Sequence, residues 1–112
     1  MKADRVYLEH IRDALRDIDA YCNVGREVFM SDRMRQDPTL RKLEIIGQAV
    51  KNLSDATKAQ QPDIPWKRIA GLRDKVIHDY FGVDLNIVWA VVDIELPRLQ
   101  SAIEALLESG GH

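Results

Sequence analysis

Ile64-Pro-Trp-Lys-Arg-Ile-Ala-Gly-Leu-Arg-Asp-Lys-Val-Ile-His-Asp-Tyr-Phe-Gly82 is the stretch that settles how this chain is read. It follows Gln60-Gln61-Pro62-Asp63, where two prolines three residues apart break regular structure. Pro65 has the fixed φ of a first helical position, and Gly82 is placed to end what Pro65 opens. Between them Trp66, Ile69, Leu72, Val76 and Ile77 recur at helical spacing, which gives one apolar face. Packed against those positions is a dense polar set: Arg73, Asp74, Lys75, His78, Asp79 and Tyr80.

The rest of the chain repeats the helical pattern. Tyr7, Ile11, Ala14, Ile18 and Tyr21, with Leu8 and Leu15 beside them, mark a first helix over about 4–22. Gly25 separates it from a short helix near 26–34. Asp37-Pro38 reads as N-cap and first turn of a second long helix that runs to about Ala59, with Leu40, Leu43, Ile46, Val50 and Leu53 as its stripe. Asp84 is the expected N-cap of a last helix over about 85–108, striped by Leu85, Val88, Val92, Leu99, Ile103 and Leu106. Trp89, Val91 and Ile94 lie off that stripe, which suggests a second packing surface, and Pro97 should bend the helix. No strand-like alternation, repeat or low-complexity tract occurs. The fold class expected is all-α, an up-and-down four-helix bundle with an additional short helix, formed by residues 1–112 as one domain with a frayed tail over 108–112.

Composition narrows the function. With 112 residues, 46% hydrophobic and 30% charged, the chain can bury a core without a metal or disulfide staple. Its single cysteine, Cys22, forms no internal disulfide, and no apolar run marks a leader or a membrane span. A cytoplasmic protein is the expectation. A net charge of −2 and a pI of about 5.9 do not announce a nucleic-acid binder, so RNA contact requires a local basic patch. Arg33, Arg35, Arg41 and Lys42 form one such cluster, and Lys67, Arg68 and Lys75 another; either could equally be a solvated face. Met30 and Met34 read as packing residues and Cys22 as buried filler.

The polar set of the third helix has the chemistry for phosphodiester cleavage. Histidine gives and takes protons near neutral pH. Arginine carries a permanent charge on a planar fork that suits phosphate oxygens and stabilises charge building on them. On an ideal helix, however, Arg73 and His78 lie ~140° apart and Arg73 and Tyr80 only ~20° apart. Convergence of Arg73 and His78 therefore needs a distortion near Gly82 or a second protomer. Asp-x3-His-Asp is not a specific ligand pattern, and no metal site or other cofactor is expected.

Arg73-x4-His78-x-Tyr80 is similar to the Arg-x4-His motif of HEPN domains, with the tyrosine of HepT toxins. Arg41–Ser54 resembles that family's second helix and residues 64–82 its motif segment, while Asp4–Tyr21 and Asp84–Leu107 fit its first and last helices. Gln48 departs from the family's frequent glutamate. The resemblance implies a metal-independent endoribonuclease toxin acting as a homodimer, with Arg73 and His78 as the catalytic pair at a cleft between subunits. It also implies a partner nucleotidyltransferase antitoxin of the MntA type that transfers AMP to Tyr80. Asp74 and Asp79 are candidates to orient the catalytic side chains, or simply to pair with Lys75 and Arg73. Arg41, Lys42, Lys67, Arg68 and Lys75 are then candidate RNA contacts. Some HEPN domains lack nuclease activity, and a nucleotide-binding or partner module for a nucleotidyltransferase remains the alternative reading, as does a plain helical scaffold.

Overall fold

The computed structural model describes residues 2–78 and 84–109, without the side chains of Lys2, Arg73, Lys75, Val76, Ile77 and His78. Every element in the described residues is helical: α1 (Lys2–Cys22), α2 (Arg26–Ser31), α3 (Arg33–Lys51), α4 (Asp55–Ala59), α5 (Trp66–His78), α6 (Leu85–Ala90), a π-helical segment (Val91–Glu95) and α7 (Leu96–Ser109). The expected all-α bundle is met. α3 packs between α1 and α5, and α1 packs on α7.

The periodic stripes of the sequence are the core. Leu8, Ile11, Ala14, Leu15 and Ile18 of α1 meet Leu40, Leu43, Ile46 and Val50 of α3, Trp66 and Ile69 of α5, and Leu99, Ile103 and Leu106 of α7. Each such aliphatic side chain contributes about 1.5–3 kcal/mol when fully buried. Tyr7 and Tyr21, at the margins of the first stripe, are half-buried against the cluster. Phe29, with no exposure, ties α2 to the C-terminal rod through Trp89 at a ring-centroid distance of 5.3 Å. So Trp89 is a packing residue, whereas Ile94 on the same rod is 57% exposed. Met34 is 87% exposed, contrary to the packing role expected of it; it stands on the outer side of α3's first turn.

Three boundaries differ from the sequence reading. The long second helix starts at Arg33, because Asp32, not Asp37, accepts the Met34 N–H at 2.9 Å. Pro38 lies inside α3 as its sixth residue, not at its start. The helix also stops at Lys51, and Ser54 caps a separate short helix by accepting the Thr57 N–H. The structure thus has two short helices, α2 and α4, where the sequence suggested one. Finally, Pro97 is preceded by the π-helical segment, closed by the Leu96 N–H donating to Val91 O, a five-residue step. Proline lacks an N–H and its ring would meet the carbonyl four residues back; a widened turn just upstream relieves that clash. Other expectations hold closely. Gly25, at φ 94°, makes the turn out of α1 in a conformation that L side chains rarely adopt. Pro65 stands immediately before α5 and its carbonyl accepts the Ile69 N–H. Asp84 caps α6 by accepting the Asn86 N–H at 2.9 Å. α7 is helical through Ser109, into the expected frayed tail; 110–112, like the expected stop at Gly82, lie outside the described residues.

Buried polar groups fasten the joints. Gln36 Nε2 donates to the Phe29 carbonyl at 2.8 Å, and Arg35 donates to the Tyr21 carbonyl at the end of α1. Trp66 Nε1 donates to the Lys58 and Gln61 carbonyls, closing the two-proline loop onto α5. Asp4, 5% exposed, accepts from Ser54 N, Ser54 Oγ and Thr57 Oγ1, the last two at 2.6 Å, and so joins the start of α1 to the cap of α4. The Ser54 and Thr57 hydroxyls hold the Asp4 carboxyl below its usual pKa. A depressed carboxylate stabilises the fold fully above its unfolded pKa, and that stability is lost as pH falls through the lower folded value. Asp4→Ala should therefore cost about 1–3 kcal/mol at neutral pH in urea titrations. The gap to wild type should shrink on acidification below about pH 4, and an unchanged gap would show that the carboxylate does not matter.

Candidate nuclease site

α5 positions the motif. Trp66 and Ile69 bury the helix against α3, and helical phase continues that stripe to position 73, ~40° from Ile69 and ~20° from Trp66. Position 78 falls on the opposite stripe with Lys67, Gly71 and Asp74, all exposed. α5 is a regular α-helix through His78, so within the described residues no distortion brings positions 73 and 78 to one face. The local distortion considered near Gly82 falls outside the described residues, as do Asp79 and Tyr80.

The candidate RNA contacts separate into groups. Arg41, 70% exposed, is paired with Glu44 at 2.7 Å. Lys42 is half-buried and paired with Asp17 at 2.9 Å, on the side of α3 that packs against α1. Arg68 is paired with Glu95 of the π-helical segment, which links α5 to the C-terminal rod. Lys67 is exposed on the stripe of position 78. Asp74 is exposed and engaged in an interaction of its own. Lys75 is one of the residues whose side chain is not described. Arg35, part of the first basic cluster, is committed to Asp32 and the Tyr21 carbonyl. Cys22 is buried beside Thr39, its Sγ 3.6 Å from Thr39 Oγ1, and burial pushes its thiol pKa up. A protonated, buried thiol is a poor nucleophile.

Sequence reasoning passed over two features of this surface. Gly71 sits mid-helix on the outer stripe, and a Cβ there would meet nothing within 4 Å. The other is a groove between α1 and α3 walled by Tyr7, His10, Arg41 and Gln48. The Tyr7–His10 spacing was a usable signal, because residues three apart share a helix face. Among the described residues no three His, Cys, Asp or Glu side chains form a metal-holding group, and no helix is long and apolar enough to cross a membrane.

A family model for HepT-like ribonucleases matches residues 11–106, which includes the whole motif helix. The chain belongs to the HepT-like ribonuclease family. It is 40% identical over 109 residues to a protein of Caldanaerobacter subterraneus subsp. tengcongensis provisionally named an RNase, covering 96% of this chain and 97% of that one. It is 39% identical over 106 residues to a probable ribonuclease HepT of Thermococcus cleftensis, covering 94% and 96%. A provisionally named RNase of Methanocaldococcus jannaschii is 37% identical over 105 residues, covering 93% and 87%. No solved structure matches the chain.

Because no described residue meets a Cβ at position 71, the glycine is not required for packing among the described residues. Through helix propensity alone Gly71→Ala should raise protomer stability by up to about 1 kcal/mol. Thermal melts at high dilution check this, and a destabilisation that grows with protein concentration would instead put a second copy against position 71.

Proposed function

We propose that the chain is the toxin of a toxin–antitoxin pair: a metal-independent endoribonuclease of the cytoplasm, acting as a homodimer and silenced by AMP transfer to Tyr80. The observation that carries this is the family match running through Arg73, His78 and Tyr80. Family membership makes RNA the substrate class.

In this reading the substrate's 2′-hydroxyl attacks the adjacent phosphorus. A P–O2′ bond forms and the P–O5′ bond breaks, leaving a 2′,3′-cyclic phosphate and a free 5′-hydroxyl. His78 serves as proton-transfer group, and Arg73 stabilises charge on the phosphoryl oxygens. Asp74 and Asp79 orient the pair. The opposite helical phases of positions 73 and 78 favour a site completed by a second copy. Gly71, on the stripe of position 78, leaves the backbone open to close approach there. Lys67 and Lys75 supply charge for the RNA backbone. For Arg41, Lys42 and Arg68 a phosphate would have to compete with Glu44, Asp17 and Glu95.

Regulation follows from the same phases. Position 80 lies ~20° from position 73 if the helix continues. AMP on Tyr80, delivered from ATP by an MntA-like nucleotidyltransferase, would set bulk and negative charge beside the arginine and exclude RNA phosphate. The acidic pI of about 5.9 favours the second reading, a non-catalytic partner module for such a nucleotidyltransferase.

Two measurements decide. The purified chain should run as a dimer by light scattering and should cut single-stranded RNA in the presence of a chelator. Arg73→Ala or His78→Ala should lower the rate by at least about 100-fold, and full activity in the His78→Ala variant removes its assigned role. Co-expression with the neighbouring nucleotidyltransferase should add mass in AMP units to the Tyr80 peptide, with loss of cleavage. AMP on another residue overturns the regulatory assignment.

A further inference from the structure

We infer that the groove between α1 and α3 is a nucleotide subsite for single-stranded RNA, apart from the motif on α5. The inference rests on the ribonuclease reading and extends it to where the strand is gripped. The groove has a volume of about 470 Å³, within the usual range for small-ligand sites.

Its walls carry what a nucleotide needs. Tyr7 and His10 of α1 stand edge to face, ring centroids 6.3 Å apart and planes at 85°. The α1 wall thus offers π-faces to a base, and half-buried Ile45 adds apolar area from the α3 wall. Across from the two rings, Gln48 is exposed, and its amide supplies both a donor and an acceptor for a base edge. Arg41 stands on the same stripe of α3 as Gln48, two turns before it, with a guanidinium fork suited to phosphate. Its partner Glu44 holds it at 2.7 Å. Arg41 is 70% exposed while Glu44, which also lines the groove, is 21% exposed, so a phosphate takes the open side of the guanidinium in competition with that carboxylate.

The surroundings favour RNA over a protein partner. Protein interfaces are anchored by large apolar side chains. Among the described residues the exposed large apolar side chains are Val6, Val24, Val28, Met34, Ile87 and Ile94; Val6 neighbours Tyr7 on α1, and none of the six lines this groove. Position also fits. α3 packs between α1 and α5, so the groove and the motif helix flank one helix, about 10–12 Å across. A strand held by Tyr7, His10 and Arg41 can cross α3 toward α5 and pass Lys51, which is exposed.

The test is binding, separated from turnover. A short fluorescein-labelled single-stranded RNA of mixed sequence is titrated by anisotropy into the full chain carrying His78→Ala, and then into the same chain with His10→Ala, Gln48→Ala or Arg41→Glu added. His10→Ala should raise Kd about tenfold. Arg41→Glu should raise it further and flatten the salt dependence. Melting temperatures should stay within a few degrees, since all three side chains are exposed. On the chain without these three substitutions, photocrosslinking of thiouridine-labelled RNA should mark Tyr7 or His10. Unchanged Kd in all three variants, no RNA binding at all, crosslinks confined to α5, or lost self-association with RNA binding intact would each overturn the subsite. Cleavage by the unsubstituted chain is read separately: binding through the groove without cleavage refutes the ribonuclease reading and keeps the subsite. Cleavage with a KM indifferent to the three substitutions keeps the ribonuclease and removes the subsite.

Discussion

α3 has to bury two flanks at once, one against α1 and one against α5, and the remaining structure is arranged around that demand. Leu43, Ile46 and Val50 have almost no exposure, so their stripe fixes how far the neighbouring helices can rotate. Once α1 and α5 are seated, only the outer strip of α3 through Arg41 and Gln48 stays open to solvent. Core and candidate surface are therefore two sides of one helix, and the phase that hides Ile46 is the phase that presents Gln48.

Around that core, polar groups decide where helices end. Asp32 stops one helix and starts the next, while farther along Asn52 ends α3 and Ser54, itself held by Asp4, starts α4. These joints combine local capping with a contact from a distant part of the chain. Asp4 is fifty residues from Ser54, and its carboxylate accepts both the Ser54 N–H and hydroxyl. Such a contact is invisible to any window of sequence, which is why the break between α3 and α4 went unread. The same blindness covered Asp32: Asp37-Pro38 carries the stronger local start signal, but Gln36 and Thr39 are buried with their side chains bonded to Phe29 and Arg35 carbonyls, which holds those residues inside the helix.

The candidate site shows the division most clearly. Arg73, His78 and Tyr80 were legible as chemistry because their residue types and spacing stand out from an otherwise ordinary amphipathic helix. Their separation around the helix was legible too, from periodicity alone. Burial of Trp66 and Ile69 sets which flank of α5 meets α3. The pairing of Lys42 with Asp17 and of Arg68 with Glu95 could not be read in advance, since each joins helices far apart in the chain.

The sequence by itself determined the all-α class, the four apolar stripes, the turn at Gly25, the cap at Asp84 and the identity of the motif residues. Each depends on interactions within a few residues, which periodicity and capping chemistry record directly. The tertiary structure alone decided the true ends of α3, the π-helical turn ahead of Pro97, which basic side chains are tied up in ion pairs, and the groove between α1 and α3. Each of these depends on two segments meeting in space, and a linear pattern carries no information on which helix faces will meet.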